Sequence, residues 1–178
     1  LLSVRLFAEY LSDFNRKDKV VAKLDELMAG NLDVNNVTAL LMAACIYLYE
    51  EMYESALRVL HKGESMECVG LTVQILLKMN RIDLARKELK KMQEVNEDHT
   101  LSQLAIAMCN LASTGDKVME AFHIYQELAD KYGATPMLLN GQAAAYMAMN
   151  RWEDAEPILQ ESLDKDNNNP ETIVNLIA

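Results

Sequence analysis

Residues 136–170 read PMLLNGQAAAYMAMNRWEDAEPILQESLDKDNNNP. Pro136 and Pro170 stand 34 residues apart, each at a point where a helix can open, because a first-turn residue has no intrahelical use for its N–H. Between them two apolar-periodic stretches, 136–149 and 152–165, are separated by Asn150, a residue that tolerates a turn. Ala143 is the small residue at which the first helix crosses the second, and Tyr146 packs one turn later. Trp152, Ala155 and Leu159 form the facing stripe of the second helix. A helix pair that repeats from one proline to the next is the reading.

The same grammar recurs upstream. Ala44, Tyr47, Tyr53, Ala56 and Leu60 repeat the small–aromatic–aromatic–small–apolar order, and Asn80, Ile82, Ala85 and Leu89 repeat its second half. Gly115, Ala121 and Tyr125 give a looser version, and Val20, Leu24 and Leu27 a degenerate one. Equating Val20, Ala56, Ala85, Ala121 and Ala155 spaces the units by 36, 29, 36 and 34 residues. The pattern resembles the tetratricopeptide repeat, whose Asp-Pro-Asn-Asn-Pro-Glu linker is matched by Asp166 to Glu171 with Asn167 in place of the first proline.

The spacing predicts helices over 2–12, 16–29, 37–50, 53–62, 66–79, 81–94, 99–113, 117–132, 136–149, 152–165 and 170–178. Gly30-Asn31, Gly63, Gly115 and Gly133 are expected where helices stop or turns need positive φ. The fold class is all-α, a right-handed α-α solenoid of about five helix pairs. One array is expected over 1–178, with approximate units 1–30, 37–63, 66–95, 99–133, 136–169 and a partial 170–178. Each pair has two apolar stripes and cannot cover both alone, so stacked neighbours share one continuous core. Small residues such as Ala44, Ala56, Ala143 and Ala155 let backbones approach. Tyr47, Tyr53, Tyr146 and Trp152 are expected to fill the space toward the next pair.

Composition agrees and limits function. Hydrophobic residues are 51% and charged residues 25% of the chain, the balance of a folded protein. Only 6 Gly and 3 Pro leave too few turn residues for an all-β fold. A net charge of −10 opposes binding to nucleic acid and to anionic lipid. The basic cluster Arg86, Lys87, Lys90, Lys91, with Arg81 and Lys78 nearby, is interleaved with Asp83 and Glu88 and has no stacking aromatics. It reads as a solvated helix face. Cys45, Cys68 and Cys109 are odd in number and set in apolar helical stretches, the pattern of reduced, buried cytosolic thiols. No apolar run is long enough to span a membrane, and the sequon at Asn36 would matter only in the secretory lumen.

No catalytic, metal or cofactor site is expected. His61, His99 and His123 lack a second ligand one helical turn away, and the cysteines lack a paired spacing or a nucleophile arrangement. Asp164 to Asn168 resembles the start of a calcium loop, but the sixth and twelfth places hold Asn169 and Asn175 where glycine and glutamate are required. No glycine-rich phosphate cradle is present. The 11 methionines are first core fillers.

The surface expected to face a partner lies on the first helix of each pair. Its candidates are Leu41, Cys45, Leu48 and Tyr49, then Gly70, Gln74 and Leu77, then Asn140, Ala144 and Met147. Tetratricopeptide domains that grip C-terminal carboxylates carry Lys, Asn and Arg at such points. Here Asn140 alone remains, and an apolar groove cannot offset the desolvation of a carboxylate. It suits an apolar or amphipathic protein segment, although some of these residues also fit packing between repeats.

The run Leu71 to Lys78 followed by Arg81 to Met92 resembles the epsilon-subunit family of coatomer. So do Leu139 to Ala144, Arg151-Trp152-Glu153, Leu163 to Asp166, the start Val4 to Leu11 and the end Pro170-Glu171-Thr172. The resemblance covers essentially the whole chain, as the central and C-terminal part of such a subunit. It implies a non-catalytic subunit of the COPI vesicle coat, without cofactor. The implied partner is the C-terminal domain of the alpha subunit, with other coat subunits contacted indirectly. The implied place is the cytoplasm and, peripherally, Golgi membranes and coated vesicles in Golgi-to-endoplasmic-reticulum and intra-Golgi transport. Two other readings stand beside it. A co-chaperone-like adaptor is disfavoured by the missing carboxylate clamp, and an enzyme would need titratable residues converging in one pocket.

Overall fold

The computed structural model describes residues 2–29, 36–113 and 115–178. Among them are eleven α-helices and no strand. They are α1 (Leu2–Ser12), α2 (Lys17–Ala29), α3 (Val37–Tyr49), α4 (Tyr53–Leu60), α5 (Met66–Lys78), α6 (Ile82–Asn96), α7 (Thr100–Leu111), α8 (Lys117–Tyr132), α9 (Pro136–Ala148), α10 (Trp152–Lys165) and α11 (Pro170–Ile177). A single 3-10 turn, Phe14–Arg16, precedes α2. The sequence periodicity thus located every helix, with ends shifted by one or two residues. The stop expected at Gly30-Asn31 lies outside the described residues.

Two compact units form, Leu1–Val95 and Asn96–Ala178. In the first, α1 and α5 both pack against α3, and α4 packs against α3 and α5. Leu6 and Tyr10 of α1, Val20 and Leu24 of α2, and Leu40, Ala43, Ala44 and Tyr47 of α3 share one core with Ala56 and Leu60 of α4. Ala44 and Ala56 are fully buried, as their role at the helix crossing requires. Two buried tyrosines satisfy their hydroxyls across helices: Tyr10 donates to Glu50, and Tyr47 donates to Asp25 at 2.6 Å.

In the second unit α7 through α10 pack in chain order, and α11 lies against α9 and α10. Ala143, Ala155 and Leu159 form the predicted crossing of α9 and α10, with Tyr146 against it. The Tyr146 ring also meets Phe122 of α8, centroids 4.5 Å apart. Trp152 departs from expectation. It is 52% exposed, because it opens α10, and a side chain in a first helical turn leans back past the helix end. α10 runs through Pro157, giving up one intrahelical hydrogen bond.

Three within-pair turns are the same object. After α3, α5 and α9 a left-handed residue reverses the chain: Glu51 (φ 57°), Asn80 (φ 56°) and Asn150 (φ 58°). The following N–H returns to a carbonyl five residues earlier, Met52 to Tyr47 (2.8 Å), Arg81 to Leu76 (2.8 Å) and Arg151 to Tyr146 (2.9 Å). This is the Schellman closure. Gly115 (φ 76°) and Gly133 (φ 95°) take positive φ as expected. Gly63 is needed for space instead: a Cβ there would stand 2.9 Å from both the Cys68 Sγ and the Leu40 Cδ1.

Candidate partner-binding surface

On α3, Leu41, Cys45, Leu48 and Tyr49 fall on one helix face by their 3–4 residue spacing. Leu41 and Leu48 are half-buried and pack their inner sides on the core. Cys45 is half-buried, and burial pushes its thiol up from the ordinary range. Tyr49 is 63% exposed. Its ring lies 6.3 Å from that of Phe7 and 6.0 Å from that of Tyr10, both on α1. The Lys17 ammonium stands 4.8 Å from the Tyr10 ring centre. Phe7, half-buried, and Tyr10, buried, back Tyr49 from α1, a grouping that the sequence reading did not include. Their i, i+3 spacing put them on one face, but only the packing of α1 on α3 brings Tyr49 to them.

On the adjacent α5, Gly70, Gln74 and Leu77 are half-buried. A Cβ at Gly70 would rest 3.5 Å from the Met92 Cε of α6, so this position serves helix packing as well.

In the second unit Ala144 and Met147 are half-buried on α9, Met147 against the Ala143–Ala155 crossing. Asn140 is a correction. It is 1% exposed, and its amide Nδ2 donates to the Pro136 carbonyl (2.9 Å) and the Thr172 hydroxyl (2.8 Å). Its Oδ1 accepts from Asn175 (3.2 Å). The side chain is committed between α9 and α11, because α9 has neighbours on both flanks and the helical period does not say which flank a polar residue faces. Asn140 therefore packs α9 on α11, with its polar atoms bonded within the chain.

Other chemistry-bearing residues have local structural jobs. His99 caps α7, its Nδ1 accepting from the Leu101 N–H at 3.2 Å. Asn36 caps α3 through the Ala39 N–H, and Asn169 caps α11 through the Thr172 N–H. Among the described residues no group of three or more His, Cys, Asp and Glu is placed to hold a metal ion. No helix described is long and apolar enough to cross a membrane. The basic residues of α6 lie on its exposed face, with Lys91 paired to Glu88 at 2.7 Å. The acidity is uneven along the chain. Residues 96–178 hold 4 Lys and Arg against 13 Asp and Glu, net −9, whereas residues 58–95 hold 8 against 5, net +3.

The family model described as the coatomer epsilon subunit matches residues 1–178. The chain belongs to the coatomer epsilon subunit family. Coatomer subunit epsilon-1 of Arabidopsis thaliana is 44% identical over 178 residues, covering 100% of this chain and 61% of that protein. Coatomer subunit epsilon of Dictyostelium discoideum is 34% identical, covering 99% and 60%. The chain thus spans about three fifths of the length of these epsilon relatives. Among solved structures, a tetratricopeptide repeat protein from Parabacteroides merdae superposes with a TM-score of 0.79 at 17% identity, over 98% of this chain and 68% of that one. A thermophilic TPR protein of Thermus thermophilus gives 0.74 at 16%, over 99% and 94%. At these identities the likeness establishes the fold, an α-α solenoid of the tetratricopeptide class.

Proposed function

We propose that the chain is a single repeat array acting as a non-catalytic interaction subunit of the COPI coat, which binds and stabilises the C-terminal domain of the alpha subunit. The observation that carries this reading, beside family membership, is the partly open apolar and aromatic face of the first helices. Tyr49 presents most of its ring with Phe7 and Tyr10 behind it, and Leu41, Leu48 and Leu77 continue the apolar surface. Tyrosine and leucine on a rigid helix lose little side-chain entropy on binding and bury much area, which is how interface anchors work. A partner segment held there is removed from its own unfolding equilibrium and stabilised in proportion to occupancy. The array serves Golgi-to-endoplasmic-reticulum and intra-Golgi transport from the cytoplasmic side, touching Golgi membranes and coated vesicles only through other coat subunits.

Leu48→Asp with Leu77→Asp abolishes pull-down of the C-terminal domain of the alpha subunit while far-ultraviolet circular dichroism keeps its helical form. Tyr49→Ala, at an exposed position, weakens the same interaction about tenfold or more with an unchanged melting temperature. Full retention of the partner by both variants would refute the reading.

A further inference from the structure

Charge is segregated between the two kinds of helix. α3, α7 and α9, each the first helix of a pair, contain no Asp, Glu, Lys or Arg. The second helices α6 and α10 contain 7 and 6 such residues. With 13, 12 and 13 residues in α3, α7 and α9 and 25% charged content in the chain, about nine or ten charges would be expected among the three. Burial does not account for their absence. A helix apolar all round is ordinarily covered all round, yet Tyr49 of α3 is 63% and Met137 of α9 is 54% exposed. Leu41 and Leu48 on α3, and Ala144 and Met147 on α9, are half-buried.

The charges around these two helices leave their open faces neutral. On α1, Arg5 and Glu9 each stand two residues from Phe7, about 160° round the helix from it, and Glu9 pairs with Arg16 at 3.4 Å. Glu50, next to Tyr49, accepts from the Tyr10 hydroxyl, and Glu51 lies in the turn beyond. α5 is charged only at Glu67 and Lys78, its second and last residues. In the second unit the charges that flank α9 in sequence are Lys131 and Arg151. Lys131 stands 5.1 Å from the Tyr132 ring centre, and Arg151 pairs with Asp154 at 2.7 Å. α11, packed beside α9, carries a single charge, Glu171 in its first turn.

A partner charge laid on such a face loses hydration and meets no counter-charge, whereas an apolar group gains by burial there. Resting on the reading given under Proposed function, we propose that the alpha subunit's C-terminal domain presents no charged side chain to α3 or to α9. These faces select by excluding charge, and they refuse cations and anions alike. The net charge of −10 acts on the partner only from a distance, steering its approach.

The test titrates the full chain with the alpha subunit's C-terminal domain by calorimetry at about 0.15 M salt, where charges more than about 8 Å apart are largely screened. Tyr49→Lys and Tyr49→Glu put either sign on α3, and Met137→Lys and Met137→Glu do so on α9, all at exposed positions. Tyr49→Phe and Met137→Leu are the uncharged controls. Tyr49 ends α3 and Met137 lies in the first turn of α9, so the helix dipoles favour lysine at one and glutamate at the other. At each position both signs are expected to weaken binding about tenfold or more, and by amounts within about threefold of each other. The controls should bind like wild type, and all six variants should melt close to it. A tenfold preference for one sign at either position would show a charge on the partner's face and overturn the proposal alone. Wild-type binding by both charged variants at a position overturns it for that helix. No binding by the wild-type chain would overturn the functional reading and the proposal together.

Discussion

Replacing Thr172 by valine isolates what holds α11 in place. This helix has 8 residues, and Thr172 is its buried one, fully enclosed. Ile173, Val174, Leu176 and Ile177 remain 38–80% exposed, so none of its apolar side chains is fully buried in docking. An isolated helix of this length is unstable in water. Polar contacts add to its docking: the Thr172 hydroxyl accepts from the Asn140 amide at 2.8 Å and shares a hydrogen bond with the Ser162 hydroxyl at 2.9 Å, and Asn175 donates to the Asn140 Oδ1 at 3.2 Å. Ser162 and Asn140 are themselves buried, so neither can turn to water. Valine keeps the shape and removes the hydroxyl. Each of the two orphaned groups then costs about 1–3 kcal/mol. Asn140 keeps its bonds with Pro136 and Asn175, and the total is roughly 2–4 kcal/mol.

Because repeat stability is a sum of local terms, this loss falls on α11 and not on the whole chain. Hydrogen exchange read by mass spectrometry should show amides of α11 exchanging about 30- to 700-fold faster, the rate equivalent of that free energy. Amides of α7 to α9 should stay within a few-fold of wild type. Thr172→Ser keeps the hydroxyl and should keep the protection. Unchanged protection of α11 in Thr172→Val would refute the argument that the network holds it, and uniform loss across α7 to α10 would refute the claim of locality.

Three further outcomes are expected. Ala155→Arg places a long side chain where Ala155 is 2% exposed against Ala143, and should lower stability by about 1–3 kcal/mol or more; a wild-type melting temperature would remove the helix register. Glu51→Gly relieves a left-handed residue that glycine adopts freely. It should stabilise by about 0.5–1 kcal/mol once the added backbone entropy is subtracted, and a lowered urea midpoint would contradict this. Burial and the hydrogen bond to Glu50 push the Tyr10 phenol up to about 12. The unfolded chain releases that proton near pH 10, so between these values the unfolded state binds fewer protons and stability falls as pH rises. Tyr47, buried and bonded to Asp25, acts in the same direction. The urea midpoint should decline between about pH 10 and 12, and less steeply in Tyr10→Phe; an equal decline would place the effect elsewhere.

The helices could be read from residues because each rests on local chemistry. Small residues at crossings, apolar positions at 3–4 spacing and prolines at helix starts act within one pair, and the structure places them as read. The candidate surface was less legible because facing is a property of neighbours. Asn140 sits one helical turn from Ala144 and the period gives them the same face, yet α11 covers one and leaves the other half-open. Phe7 meets Tyr49 across 42 residues of sequence, a contact that no window of the chain contains. Trp152 carried the right residue type for a core position and was placed at a helix end that has no core beneath it.

The 29-residue spacing between Ala56 and Ala85, against 36, 36 and 34 elsewhere, was visible at once, but its consequence was not. In a globular core a missing helical turn would be partly refilled, since voids cost packing energy and surrounding side chains relax some way into them. A repeat is held by its immediate neighbours alone. α3 packs against α4 from one side, and the Schellman turn at Asn80 joins α5 to α6. Beside the short α4 lies a groove lined by Leu60, Leu76 and Met92. The array thus tolerates a short unit without closing over it.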